Sequence, residues 1–110
     1  MLISVLKSKI AYAKVTETEL FYEGSITMPE DIIEKANMQI NEKVMIVNLQ
    51  NGERAETYVI PGPRNSKKFA LNGPLARKAA IGDEIHILSF GLIDPSNESI
   101  EPVIIDLKTA

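Results

Sequence analysis

The sequence predicts a mainly β protein, a small mixed barrel with two short helices, and three observations carry that expectation. Short runs of alternating polar and β-branched residues recur along the chain, cut by turn signals at Asn51-Gly52, Pro61-Gly62-Pro63, Asn72-Gly73-Pro74 and Gly82-Asp83. Only two stretches carry helix signals, and both are short. The chain has 110 residues, 45% of them hydrophobic, which suits one domain spanning 1–110 with a real core.

Taken in order, Met1 to Leu6 reads as a buried apolar strand and Ile10 to Thr18 as a second, alternating one. Pro29-Glu30-Asp31 opens the better helix. Proline suits a first helical position, the acids suit the positive end of the helix, Ile32, Ile33 and Ala36 form an apolar stripe, and Asn37 stops it. Lys43 to Leu49 is a strand with Val44, Ile46 and Asn48 on one face. Asn51-Gly52 is the strongest hairpin signal in the chain, and Arg54 to Ile60 is the returning strand. Its alternation sets Arg54, Glu56 and Tyr58 on one face and Ala55, Thr57 and Val59 on the other. Phe69 to Leu71 is a short strand, and Pro74 to Ala80 gives one or two helical turns. Glu84 to Phe90 and Ile100 to Leu107 are the last strands, with Pro102 marking an edge or an entry. The tail after Asp106 reads as disordered.

Composition removes several function classes. The net charge is -3 and the pI about 5.2, which argues against a nucleic-acid partner, since phosphate binding needs a basic field. The chain has no cysteine and one histidine, His86, so thiol chemistry and multi-histidine metal sites are excluded and no metal is expected. No apolar run approaches the roughly 18 residues a spanning helix needs. The N-terminal stretch lacks the basic flank and cleavage site of a secretory signal. A cytoplasmic protein with no membrane partner is the expectation. A barrel this small buries a limited fraction of its surface, so oligomerisation is expected as well.

Few residues carry chemistry on their own. Gly24-Ser25 is, in an arbitrary protein, most often a turn. Its chemical reading is self-processing. The Ser25 hydroxyl attacks the Gly24 carbonyl, and glycine can take the strained dihedrals that bring that carbonyl within reach. Elimination across the resulting ester leaves dehydroalanine, which hydrolyses to a pyruvoyl group, a ketone able to form a Schiff base with an amine.

Arg54-x-x-Thr57-Tyr58 follows the hairpin turn. Arg54 is either a solvated charge or a two-pronged carboxylate clamp. Tyr58 is either packing or a proton donor. Thr57 is either an ordinary strand residue or a hydroxyl that steadies an oxyanion. Asn72-Gly73-Pro74 is a turn or an amide and flexible backbone facing a ligand. Lys9 reads as surface charge, His86 as a strand-surface or hydrogen-bonded histidine, and Glu17, Glu19 and Glu23 as solvated acids.

Taken together, these pieces resemble the bacterial aspartate 1-decarboxylases. The carrying segments are Leu6-Lys7-Ser8-Lys9-Ile10, Lys14-Val15-Thr16, Leu20-x-Tyr22-Glu23-Gly24-Ser25, Asn51-Gly52-x-Arg54-x-x-Thr57-Tyr58, Asn72-Gly73-Pro74-x-Ala76-Arg77 and Gly82-Asp83. Each is weak alone, and the ordered set is specific.

The resemblance implies a double-psi β-barrel assembled as a homotetramer, with active sites between neighbouring subunits. It implies cleavage into chains 1–24 and 25–110 and a pyruvoyl cofactor formed from Ser25. It also implies conversion of L-aspartate to β-alanine and carbon dioxide for pantothenate and coenzyme A synthesis. Under it, Arg54 and Lys9 hold substrate carboxylates, and Tyr58 reprotonates the carbanion. Thr57 and Asn72 assist processing and line the pocket, which Tyr22, Gly73 and Pro74 shape.

Ala11 stands where some family members carry histidine, and Val47 near where some carry an aromatic residue. A swapped-hairpin transcription factor would share the broad shape but wants a basic face. A chain that folds without cleaving itself is the other rival.

Overall fold

The computed structural model describes residues 1–108 and is built from eight strands, one α-helix and one 3-10 helix. The strands are β1 (Ile3–Lys14), β2 (Glu17–Glu19), β3 (Ile26–Pro29), β4 (Lys43–Asn48), β5 (Arg54–Gly62), β6 (Ala70–Asn72), β7 (Glu84–Ile93) and β8 (Val103–Asp106). Helix α1 spans Glu30–Lys35, and the 3-10 helix spans Gly73–Lys78.

The strands form one mixed sheet in the order β2-β6-β3-β5-β4-β7-β1-β8. The sheet closes on itself because β2 continues β1 after a two-residue gap. The Thr16 N–H donates to the Phe69 carbonyl at 2.9 Å as the chain passes from the β7 ladder to the β6 ladder. Closure removes the open edges that a flat sheet of short strands would expose.

Alternation then fills the barrel. Ile10, Ile26, Val59, Leu71, Ile85 and Ile87 are all essentially inaccessible and belong to one cluster. Each such side chain contributes about 1.5–3 kcal/mol through burial. Val44, Ile46 and Asn48 face inward together, as the alternation of that strand predicts. The Asn51-Gly52 turn joins β4 and β5 as an antiparallel pair, with Gly52 at φ 75° and its N–H donating to the Asn48 carbonyl at 2.8 Å.

Several boundaries differ from the sequence-based expectation. The two strands expected within 1–18 are mostly one long β1, bent at irregularities between Leu6 and Ser8 and between Ile10 and Ala13. Its first residues are exposed, not buried, because they pair with the end of β7 as a ribbon in which Leu2, Ile3, Phe90 and Leu92 face outward. Strand β3 was not anticipated, since the turn signals around it mask a four-residue run that is buried throughout.

Strand β5 runs on through Pro61, which pairs with Met28 of β3. Hydrogen bonding toward the β4 side ends at Val59, so proline at 61 costs no hydrogen bond there. Helix α1 does stop at Asn37, which takes φ 57°. Of the tail expected to be disordered, Leu107 donates its N–H to the Ala11 carbonyl at 3.0 Å and packs against the core. Residues 109–110 lie outside the described residues.

Candidate active site

The Gly24-Ser25 pair lies where the chain enters β3, and both residues sit in the left-handed half of backbone space. Gly24 has φ 139° and Ser25 has φ 102°. Positive φ is easy for glycine and strained for serine, so the peptide between them is held in a conformation that must be imposed from outside.

The imposing contacts come from β6 and the turn after it. Asn72 donates its backbone N–H to the Ser25 carbonyl at 3.0 Å. Its side-chain Nδ2 donates to Ser25 Oγ and to Thr27 Oγ1, both at 3.0 Å. Ser25, Thr27 and Asn72 are all buried. These are the contacts of the serine as encoded.

Gly73 sets the approach of the loop before Ser25. It has φ 76°, and a Cβ there would fall 2.8 Å from the Tyr22 carbonyl oxygen and 2.9 Å from Gly24 Cα and N. Only a residue without a side chain lets the Tyr22–Gly24 backbone lie this close to the turn. Pro74 follows at the start of the 3-10 helix, where its fixed φ suits helix entry.

Tyr58 reaches the same place from β5. Parallel pairing of Ile26 with Val59 sets Ser25 beside Tyr58 one residue earlier on each strand. Tyr58 Cε1 lies 3.9 Å from the position of a Gly24 Cβ. Tyr22, Thr27 and Asn72 also line a cleft of about 650 Å³, together with Phe21, Lys68 and Ile81. A strained peptide, a buried serine oxygen held by an amide, and a tyrosine alongside can support an acyl shift at Ser25 and proton transfer near it.

The remaining sequence-predicted residues stand apart. Thr57 faces the opposite side of β5 from Tyr58, and among the described residues it makes no hydrogen bond to Ser25. Arg54 is exposed on the face that Tyr58 shares, and its Nη1 lies 3.9 Å from Met45 Sδ. Lys9 is on β1, opposite Leu88 of β7. Within one chain these two cations do not touch the Ser25 cluster. Thr27, which completes the buried polar triad, was missed. The signal available was a threonine inside the apolar run Ile26-Thr27-Met28-Pro29.

His86 accepts a hydrogen bond at Nδ1 from the Tyr12 N–H at 3.2 Å, and its ring meets the Tyr12 ring edge-on. Burial holds its basicity below the usual histidine range, and the Lys9 charge adds to this. No group of three or more His, Cys, Asp or Glu side chains that could hold a metal ion occurs among the described residues.

The model of the aspartate decarboxylase family matches residues 1–110. The chain belongs to that family. It is therefore a decarboxylating lyase. It is 66% identical over 108 residues to the aspartate 1-decarboxylase of Coxiella burnetii, covering 98% of this chain and 97% of that one. It is 60% identical over 109 residues to the aspartate 1-decarboxylase of Francisella tularensis subsp. holarctica, covering 99% and 98%.

Among solved structures, a rationally designed double-psi β-barrel matches at TM-score 0.52 with 10% identity, over 70% of this chain and 90% of that chain. A computationally designed one matches at TM-score 0.50 with 16% identity, over 79% and 99%. The fold of this family member is thus the double-psi β-barrel, mainly β with two short helices, as the resemblance implied. No helix among its described residues is long and apolar enough to cross a membrane.

Proposed function

We propose that this decarboxylase cuts its own Gly24–Ser25 bond, turns Ser25 into a pyruvoyl group, and converts L-aspartate to β-alanine and carbon dioxide. The strained, buried Gly24-Ser25 peptide under the Asn72 amide is the observation that carries this reading. In the processing step the Ser25 Oγ–C bond to the Gly24 carbonyl carbon forms as the peptide C–N bond breaks. The hydroxyl proton passes to the released nitrogen. Loss of the Ser25 α-proton then expels Gly24 as a carboxylate and leaves dehydroalanine. Water converts that to the ketone, releasing ammonia.

The serine pocket fits the group so formed, because a buried oxygen is already met there by an amide donor. The pyruvoyl ketone supplies the electron sink for cleavage of the substrate's carbon–carbon bond. Asn72 orients the oxygen at position 25. Tyr58, beside Gly24, delivers a proton to the carbon left by carbon dioxide. Arg54 and Lys9 hold carboxylates, and Tyr22, Thr57, Gly73 and Pro74 shape the pocket or assist processing.

The full reading places the enzyme in the cytoplasm as a homotetramer with sites between subunits, supplying β-alanine for pantothenate and coenzyme A. Phe90 and Leu92, exposed on one face of the β1–β7 ribbon, support the assembly, since exposed apolar patches mark contact surfaces.

Mass spectrometry of the purified chain tests the reading. The expected result is two fragments meeting at Gly24/Ser25, the larger one blocked to N-terminal sequencing. A chain that stays intact with an ordinary serine on long incubation would refute it.

A further inference from the structure

A lateral row of side chains crosses three neighbouring strands on the face that carries Arg54. Val47 of β4 pairs with Arg54 of β5 on one side and with His86 of β7 on the other. The inward neighbours Ile85 and Ile87 are fully buried, so alternation turns His86 outward, onto the Arg54 face. Lys9 of β1 lies on the same side, opposite Leu88, two residues along β7 from His86. The backbones of Arg54 and His86 therefore stand about 10 Å apart, two interstrand spacings, with only the small Val47 between them. The register thus places Arg54, Lys9 and His86 on one outward face, where the Glu84 and Asp106 carboxylates also act on the imidazole.

The imidazole is held in one tautomer. The chain bulges between Ile10 and Ala13, and Tyr12 within the bulge takes φ 61°, a strained value for a tyrosine. The strain aims the Tyr12 N–H at His86 Nδ1. With Nδ1 accepting, the proton of the neutral ring sits on Nε2, as a donor.

We propose that His86 is a further substrate-binding residue, donating from Nε2 to a carboxylate of the short dicarboxylic amino acid seated between Arg54 and Lys9. The inference rests on the substrate-holding roles proposed above for those two cations. It gives the histidine a task that its place on a strand surface alone does not require.

The test compares His86→Gln, His86→Glu and His86→Leu. Glutamine and glutamate have the same shape, and both can accept from the Tyr12 N–H. Glutamate also adds a negative charge beside the two cations, so the glutamine and leucine variants, which add none, carry the comparison. Two readouts are used: KM for L-aspartate, and the Kd for succinate, a dicarboxylate with no amine, measured by calorimetry. His86→Glu and His86→Leu are expected to raise both constants roughly tenfold or more, the size of a lost hydrogen bond to a charged group. His86→Gln should stay within a few-fold of wild type, and all three should remain folded by thermal melting.

Constants for a folded His86→Leu that stay near those of wild type and His86→Gln would overturn the proposal. Because succinate binding needs no ketone, the series is repeated in a Ser25→Ala background. An unprocessed wild-type chain would remove the pyruvoyl reading and leave the succinate series to decide on His86.

Discussion

The Asn72 side chain donates to the Ser25 hydroxyl oxygen at 3.0 Å, inside the barrel and away from water. Its second donor goes to Thr27, so the amide is fixed from two sides. A donor on Ser25 Oγ favours the oxygen as it loses its proton, which is what attack on the Gly24 carbonyl requires. Asn72→Ala is therefore expected to slow self-cleavage sharply, read as intact chain persisting on a gel over time. It should also destabilise the fold by about 1–3 kcal/mol, since buried hydroxyl oxygens lose their donor. Cleavage at the wild-type rate would remove Asn72 from the processing machinery.

Gly73 makes the same site possible through the absence of a side chain. Gly73→Ala puts a methyl 2.8 Å from the Tyr22 carbonyl oxygen at a residue already at φ 76°. The left-handed conformation alone costs about 1–2 kcal/mol for a residue with a Cβ. The expected outcome is a lower melting temperature and loss of cleavage, because relief of the clash moves the Tyr22–Gly24 backbone. A variant that melts and cleaves like wild type would show that the close approach is dispensable.

Arg54 presents a planar fork on an exposed strand face. Arg54→Lys keeps the charge but loses paired hydrogen bonding to a carboxylate. KM for L-aspartate is expected to rise roughly tenfold while kcat changes far less, because the lost contact holds the substrate and not the reacting bond. Steady-state kinetics that leave KM unchanged would assign the carboxylate to another residue.

Acid stability is tied to Glu42, whose carboxylate holds Lys7 and Ser89. Burial alone would raise its pKa, but hydrogen bonds from Lys7, Ser89 and the Gln39 N–H outweigh it and hold the carboxyl below the usual glutamate range. Lys7 Nζ lies 2.8 Å from one of its oxygens, and Ser89 donates to the same oxygen. A carboxyl with a depressed folded-state pKa contributes stability above its unfolded pKa, and that contribution is lost as pH falls through the folded value. Melting temperature should therefore drop from the pH at which an unfolded glutamate titrates and below. Glu42→Gln should be less stable than wild type at neutral pH and show a shallower acid slope. Parallel acid curves for the two proteins would disprove the linkage.

Much of the barrel was legible because alternation is a local property. Val44, Ile46 and Asn48 turn inward as their spacing predicts, Asn51-Gly52 makes its hairpin, and Asn37 ends the helix. The length of β1 and the existence of β3 were not legible. The first depends on pairing with the end of β7, and the second on burial between β5 and β6, both set by residues distant in the sequence.

For the site, the sequence by itself determined which residue types were present and in what order. That was enough to single out Gly24, Ser25, Arg54, Tyr58 and Asn72. It also fixed the family, since so specific an ordered set of short motifs does not arise by composition. Only the tertiary structure decided which of them meet. Ser25, Asn72, Gly73, Tyr22 and Tyr58 converge because β3 lies between β5 and β6. Arg54 shares the face of Tyr58 but lies four residues away along β5, Lys9 lies on β1, and His86 changed from a surface histidine to their neighbour. Side-chain identity is written along the chain. Proximity across strands is written in the register, which closes only when the whole core packs.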